Sequence, residues 1–153
     1  MITVTAYLCV DGAADALDFY GQAFGAEELF RLTMDNGAIG HAEMRIGETT
    51  LMISDEWPEG GVVSPRRQEG SSTSFAMMVD SVDALDATWA QALAAGATVE
   101  REREDQFYGH RMGTVVDPFG HRWSISAVVE DVAVEEMQRR MAGMEPEQPP
   151  GTA

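Results

Sequence analysis

An internal repeat with a period of about 70 residues is the feature that most constrains how this chain folds. In each half an apolar run predicts a strand, at 3–10 and again at 74–80. An amphipathic helix follows each strand, and a glycine within 24–26 or 95–97 ends it. Three further strands are predicted in each half, so the sequence predicts two modules of order β-α-β-β-β.

Turn residues fall at matching places in the two halves. The sequence Asp-Pro-Phe-Gly at 117–120 is typical of a tight turn, because proline presets φ and glycine accepts a positive φ. Gly113 and Gly120 have the same spacing as Gly40 and Gly47. This agreement of element order, turn positions and helix ends favours a duplication.

The repeat divides the chain into segments that we expect to form one structural domain. The first module is predicted at 1–55, a linker or mobile loop at 56–73, and the second module at 74–128. Apolar spacing at 129–144 predicts a C-terminal helix with methionines near one face. The Pro- and Gly-rich end at 145–153 is predicted to be a disordered tail.

Charge and composition exclude several classes of function. A net charge of −16 makes a nucleic-acid groove or an anionic membrane surface an unfavourable partner. All ten basic residues are arginine, which excludes a Schiff-base or phosphate-loop lysine. Cys9 is the single cysteine and lies in an apolar run, so it is expected to be a small buried side chain without a disulfide. No signal peptide or membrane span is predicted, and we expect a cytoplasmic protein.

Several short motifs recur in the two modules or lie at their turns. They are Asp-Phe-Tyr at 18–20, Phe-Gly-Ala at 24–26, Gly-His-Ala-Glu at 40–43, Ser-Asp-Glu at 54–56, Asp-Gln-Phe-Tyr-Gly at 105–109 with Arg111, and Asp-Pro-Phe-Gly-His at 117–121 with Trp123. Together these motifs resemble the vicinal oxygen chelate superfamily, which contains glyoxalase I, extradiol dioxygenases, fosfomycin resistance proteins and bleomycin-binding proteins. The resemblance covers roughly residues 3–141 and is closest to the PhnB-like branch. It implies an α+β fold in which the two modules form a half-open eight-stranded barrel, commonly dimeric, with a ligand cavity in the concave face.

The same resemblance implies four positions for the ligands of a divalent metal, in the first and last strand of each module. Counted from the matched motifs, these positions carry Thr5, Leu51, Ser74 and Ser124. Neutral hydroxyls and a leucine do not replace imidazole and carboxylate as ligands, and neighbouring positions offer none either. We therefore predict no cofactor, and a divalent metal only at a non-standard site. This argues against glyoxalase I or extradiol dioxygenase activity.

His41 and Glu43 are the candidate catalytic residues. They lie two apart in a predicted strand, so both side chains point to one face. A pair that points inward would form a non-standard metal site or a general acid–base pair. A pair that points outward would be an ordinary exposed hydrogen-bonded pair, and the sequence leaves both open.

Other residues are candidates for ligand contact. Arg111 would clamp a ligand carboxylate or phosphate, or would pair with one of the nearby acids. Core packing is the alternative for each aromatic candidate, and Trp89 and Phe119 are assigned to the core. His121 is more typical of a backbone cap than of a metal ligand. The candidate ligand-binding residues are Tyr7, Phe107, Tyr108, His110, Arg111 and Trp123.

Three functional hypotheses follow. The first is a PhnB-like protein that binds a small molecule in the barrel cavity without the usual metal; an acidic protein with an aromatic cavity would suit a cationic, aromatic ligand. The second is a metal-dependent or acid–base enzyme of lyase, isomerase or oxygenase type, with a shifted site at His41 and Glu43. The third is an interaction module that uses its dimer surface and C-terminal helix. A homodimer is expected, without nucleic-acid or membrane partners.

Overall fold

The computed structural model describes residues 1–144, in which eight strands form two four-stranded sheets. The first sheet contains β1 (Tyr7–Val10), β2 (Glu27–Thr33), β3 (Ile39–Ile46) and β4 (Thr49–Asp55). The second sheet contains β5 (Ser74–Met78), β6 (Thr98–Asp105), β7 (His110–Val116) and β8 (Arg122–Val128). The strand orders are equivalent, β1-β4-β3-β2 and β5-β8-β7-β6, and the sheets do not close into a continuous barrel. The predicted pair of modules is confirmed.

Four α-helices and one 3-10 helix connect or flank the strands of the described part. The crossover helices α1 (Ala13–Phe24) and α3 (Val82–Ala95) pack against each other. The segment between the modules contains the 3-10 helix Pro58–Gly60 and the short α2 (Pro65–Gln68). The predicted C-terminal helix is confirmed as α4 (Val134–Ala142). The predicted disordered tail lies outside the described residues.

Each sheet has one face packed on the helices and one face turned away from them. In β1, Leu8 and Val10 are buried, whereas Tyr7 is exposed and Cys9 is half-buried. Alternation along a strand produces this pattern, because successive side chains point to opposite faces. We call the face that carries Tyr7 and Cys9 the open face of the first sheet. Cys9 is less buried than predicted because it lies on this face.

A buried carboxylate joins the two modules. Asp117, in the turn before β8, accepts a hydrogen bond from the Tyr20 hydroxyl at 2.6 Å and from Trp123 Nε1 at 2.9 Å. It also accepts the backbone N–H groups of Phe119 and His121, both at 2.9 Å. Burial, followed by the charge of Asp117, raises the pKa of Tyr20 well above its ordinary value, so the phenol remains a donor. The turn is therefore the point at which α1 is fixed to the second module.

The same turn contacts the first sheet. His121 Nε2 donates a hydrogen bond to the backbone oxygen of Cys9 at 3.0 Å. Trp89 and Phe119 are buried, which confirms their assignment to the core.

No helix of the described residues is long and apolar enough to cross a membrane. The cytoplasmic location stays a prediction.

The outer edges of the two sheets differ in sequence. β6 is the outer strand of the second sheet and carries six consecutive charged residues of both signs, at 100–105. β2 is the outer strand of the first sheet and exposes Leu29, Phe30 and Leu32. Charged edge strands resist pairing with another strand.

Candidate functional site

A cavity of about 600 Å³ lies against the open face of the first sheet. β1 contributes Tyr7 and Cys9 to its wall, and the start of β3 contributes Ile39. The end of β4 contributes Asp55, and the following loop contributes Trp57. We call this space the first-sheet cavity.

Asp55 fixes the shape of the cavity floor. One carboxylate oxygen accepts hydrogen bonds from the N–H groups of Gly12 and Ala13 at 3.0 and 2.7 Å. The other oxygen accepts the N–H of Ile39 at 2.7 Å. These bonds join the end of β4 to the beginning of α1 and to the start of β3. Because the carboxylate faces the first N–H groups of α1, the helix dipole favours its negative charge.

The connecting segment is an ordered wall of the cavity. Glu56 forms an ion pair with Arg67, with an N–O distance of 2.7 Å, and accepts the N–H of Ser64 at 2.9 Å. These two interactions hold the pKa of Glu56 down at about 2. Trp57 and Val62 pair through backbone hydrogen bonds of 2.8 and 3.0 Å. These contacts hold residues 56–67 in one ordered conformation.

Trp57 presents an aromatic ring at this wall. Its side chain packs directly over Gly60, since a Cβ placed at Gly60 would lie 2.3 Å from the ring. The residue is nevertheless 63% exposed, which leaves ring surface free on the cavity side. Sequence reasoning missed Trp57 because 56–73 lacks periodicity. A tryptophan followed by Pro-Glu-Gly-Gly was the available signal for a turn that displays an aromatic side chain.

The structure brings three predicted residues together on the open face. The Tyr7 hydroxyl lies 2.7 Å from His41 Nδ1, and His41 Nε2 lies 3.6 Å from a carboxylate oxygen of Glu43. The Phe30 ring lies 5.6 Å from the imidazole ring, between centroids. Tyr7 lines the first-sheet cavity, whereas His41 and Glu43 are not among the residues of its wall. The arrangement links an acid–base group to the cavity through the Tyr7 hydroxyl.

Cys9 also lines the cavity but is a poor nucleophile there. Burial, followed by the charges of Glu56 and Asp55, raises the pKa of the thiol to about 11. At neutral pH the side chain is therefore a protonated thiol and adds apolar, polarisable surface to the wall.

The other predicted ligand contacts lie elsewhere in the molecule. Trp123 is buried in the core, where its indole N–H is bound to Asp117. Arg111 forms a two-point contact with Asp105 at 2.7 and 3.1 Å, so its guanidinium already has a carboxylate partner. None of these lines the first-sheet cavity.

The remaining three predicted residues lie at the turn before β7. Phe107 and Tyr108 are half-buried and meet edge to face, with centroids 5.2 Å apart. The Tyr108 hydroxyl contacts the sulfur of Met112 at 3.3 Å, and its ring lies 5.3 Å from that of His110. They form an aromatic group of the second module, and none of them lines the first-sheet cavity.

The four positions implied for metal ligands do not form a donor set. Leu51 is buried on the helix side of its sheet. The Ser124 hydroxyl is 3.2 Å from that of Thr114, and the Ser74 hydroxyl accepts a hydrogen bond from Arg122 at 3.1 Å. Within residues 1–144, no group of three or more His, Cys, Asp or Glu side chains is arranged to hold a metal ion. The donors at these positions do not fit a divalent metal.

Comparisons with known proteins agree with this architecture. The sequence profile of the Glyoxalase/Bleomycin resistance protein/Dioxygenase superfamily matches residues 2–125. An uncharacterized protein of Mycobacterium bovis is 41% identical over 139 residues, which cover 89% of this chain and 90% of the relative.

Two solved structures share the fold. A putative 3-demethylubiquinone-9 3-methyltransferase, the PhnB protein of Bacillus cereus, has a TM-score of 0.66 at 17% identity, covering 83% of this chain and 100% of that chain. The fosfomycin resistance protein FosX of Listeria monocytogenes has a TM-score of 0.68 at 18% identity, covering 90% and 99%. At these identities the likeness concerns the fold alone.

Proposed function

The chain belongs to the glyoxalase/bleomycin resistance protein/dioxygenase superfamily, and from this premise we propose that it binds a small molecule in the first-sheet cavity without the usual divalent metal. The first-sheet cavity is the observation that carries the proposal. Its volume of about 600 Å³ lies within the range of about 300–1,000 Å³ that is usual for ligand sites.

The composition of the wall supports binding. Tyr7 and Trp57 supply aromatic surface, while Met34 and Val62 supply aliphatic surface. A mainly apolar wall with a few fixed polar groups is typical of small-molecule sites. Asp55, held by three N–H groups, supplies such a fixed group.

A fragment screen tests the proposal, with Trp57 fluorescence as the reporter. Trp89 and Trp123 are buried, so a ligand in the cavity should quench mainly Trp57. Compounds that bind should lose about tenfold or more in affinity when Trp57→Ala removes the ring, measured by ligand-observed NMR because this variant lacks the fluorescent reporter. Met78→Ala, an exposed residue of the second sheet, is the matched control and should leave affinity unchanged. Binding that is insensitive to Trp57→Ala, or the absence of binding by any fragment, would refute the proposal.

We also propose a homodimer that forms along β2, the outer strand of the first sheet, and leaves the first-sheet cavity open. Leu29, Phe30 and Leu32 expose apolar side chains on this strand, and a patch of this kind is typical of an interface. Leu32→Glu should shift the molecular mass measured by sedimentation equilibrium toward the monomer. Leu93→Glu, on a helix, is the control. A monomeric wild-type protein at micromolar concentration would contradict the proposal.

An acid–base enzyme is the second candidate, and the contact between Tyr7 and His41 supports it. An imidazole with its Nε2–H toward Glu43 has a free Nδ1 lone pair aimed at the phenol. As the Tyr7 oxygen takes a proton from a ligand carbon, the phenol proton moves to Nδ1, and Glu43 stabilises the resulting imidazolium. The products are a ligand carbanion and a protonated His41, which is the first step of an isomerase or lyase.

Deuterium exchange tests this candidate without knowledge of the substrate. The protein is incubated in D₂O with a panel of 2-oxo acids and 2-hydroxy ketones, and loss of the α-proton signal is followed by NMR. Protein-dependent exchange should fall at least about tenfold in Tyr7→Phe and His41→Asn. Glu48→Gln, in an exposed turn, is the control. Exchange that persists in both variants, or no exchange with any compound, would exclude this mechanism.

A further inference from the structure

We propose that the occupant of the first-sheet cavity is an organic cation with a flat apolar body, a statement that rests on the proposed binding function. The ligand class has the chemistry of a quaternary or tertiary ammonium group attached to an aromatic ring.

The charges that line the cavity are all of one sign. Asp55, Glu56 and Glu59 contribute carboxylates, and no arginine is among the residues of the wall. The protein as a whole carries a net charge of −16, which adds to the negative potential at the cavity. An anionic ligand would meet repulsion and no basic partner, so the wall selects against it.

The three carboxylates differ in how far they are already neutralised. Asp55 binds three backbone N–H groups, and Glu56 binds Arg67 and the N–H of Ser64. Within residues 1–144 no hydrogen bond or ion pair holds Glu59, which is exposed at the rim of the cavity. Glu59 attracts Arg67 only at longer range, so its carboxylate oxygens keep their hydrogen-bonding capacity for a ligand.

Two aromatic rings complete the cation site. Tyr7, on the open face, is 54% exposed, and Trp57, in the loop after β4, is 63% exposed; both line the cavity. The negative face of an aromatic ring attracts a cation, and aromatic walls with a carboxylate are a known way to bind ammonium groups. One face of Trp57 is closed by Gly60, so the ring is held in place before a ligand arrives. Such preorganisation lowers the entropic cost of binding.

The protonated Cys9 and the aliphatic Val62 fit the second half of the ligand. Both residues line the cavity and carry no charge at neutral pH. They provide a surface for the flat body of the ligand while the ammonium group lies nearer to Glu59. A neutral aromatic compound would contact only this apolar surface and would gain nothing from Glu59. The difference in affinity between a cationic and a neutral aromatic compound therefore measures the contribution of the charge.

The experiment compares three probes of similar shape by quenching of Trp57 fluorescence. Phenyltrimethylammonium is the cation, tert-butylbenzene is its uncharged isostere, and benzoate is the anion. The cation should bind about tenfold tighter than the isostere, and benzoate should not bind. Raising the salt concentration should weaken binding of the cation only, because screening reduces attraction between charges.

Matched variants locate the site. Glu59→Gln should weaken cation binding about threefold to tenfold and leave tert-butylbenzene unaffected. Glu48→Gln changes an exposed acid outside the cavity wall and should change neither.

The outcomes separate the ligand class from the binding function. Equal affinities for the cation and its isostere, or an unchanged affinity in Glu59→Gln, would overturn the cation assignment while the cavity remains a binding site. If none of the probes binds, the cation assignment fails. The binding function itself falls only if the fragment screen is empty as well.

Discussion

Removal of one hydroxyl group tests whether Asp117 joins the two modules as described. The Tyr20 phenol donates to Asp117 at 2.6 Å, and both side chains are buried. Tyr20→Phe deletes this donor and leaves the ring in place. One carboxylate oxygen then retains only the indole N–H of Trp123, while the other keeps its two backbone donors.

The expected loss is that of a buried hydrogen bond to a charged acceptor, about 1.5–3 kcal/mol of the free energy of unfolding. Taking about 2 kcal/mol, the Tm of a chain of this size should fall by about 4–8 °C. Urea unfolding followed by circular dichroism measures the change, at one fixed protein concentration because a dimer would make stability concentration-dependent.

Tyr108→Phe provides the matched control for this substitution. It removes the same atom from a half-buried tyrosine whose partner is the weakly accepting sulfur of Met112. Its effect should stay within about 0.5 kcal/mol. If Tyr20→Phe is also within about 0.5 kcal/mol of the wild type, the hydroxyl does not join the modules energetically, and the reasoning from Asp117 is refuted.

Three further predictions concern single residues. Gly109→Ala should lower the free energy of unfolding by more than about 2 kcal/mol, because its Cβ would lie 2.2 Å from a backbone oxygen. Gly37 also has a positive φ but faces open space, so Gly37→Ala should cost about 1 kcal/mol. Comparable losses for the two variants in urea unfolding would contradict this reasoning. The Cys9 thiol, with its pKa raised from 9.0 to about 11, should react with a disulfide reagent at pH 8 about 100-fold more slowly than in urea-unfolded protein, and a ratio below about tenfold would be inconsistent with its burial. Because the pKa of Glu56 is lowered from 4.5 to about 2, its stabilising contribution is complete above pH 4.5 and is lost as the pH falls toward 2. The Tm penalty of Glu56→Gln should therefore be constant above about pH 5 and shrink below pH 4.5, and an equal penalty at pH 6 and pH 3 would disprove it.

The sequence predicted the two-module fold because its signals are local. Helical periodicity, the glycines that end α1 and α3, and the turn at 117–120 all depend on neighbouring residues. Strand ends were less accurate: β1 begins at Tyr7 rather than at residue 3, and β5 ends at Met78 rather than at residue 80. Ends depend on partner strands, which local patterns do not specify.

The candidate site was predicted only in part, because it depends on contacts between distant segments. His41 and Glu43 share a face by the period of the strand alone, but the contact between His41 and Tyr7 requires the strand order β1-β4-β3. The position of Trp57 at the cavity wall depends on the ion pair between Glu56 and Arg67, which are eleven residues apart in the connecting segment. No local pattern specifies either of these.

The sequence also did not predict which face of each strand is buried. The period of the strand predicts that Trp123 and Ser124 point to opposite faces of the sheet. Only the packing of the helices decides which of the two side chains is buried. Arg111 shares the helix-side face with Gly113, whose Cβ would meet the Trp89 ring, and pairs with Asp105 there. A pattern of period two fixes the alternation and leaves the choice of face to the tertiary structure.

The charged edge strand β6 limits how copies of this chain can grow into larger assemblies. A fibre built by strand addition needs a receptive edge at both ends of every subunit. The six charged residues at 100–105 disfavour strand addition at the outer edge of the second sheet. At the opposite edges of the two sheets, β1 and β5 border a common cavity of about 350 Å³. Of the two outer strands in residues 1–144, β2, with its exposed Leu29 and Phe30, is the one left open to another strand. Strand addition through that single outer edge joins two molecules and no more.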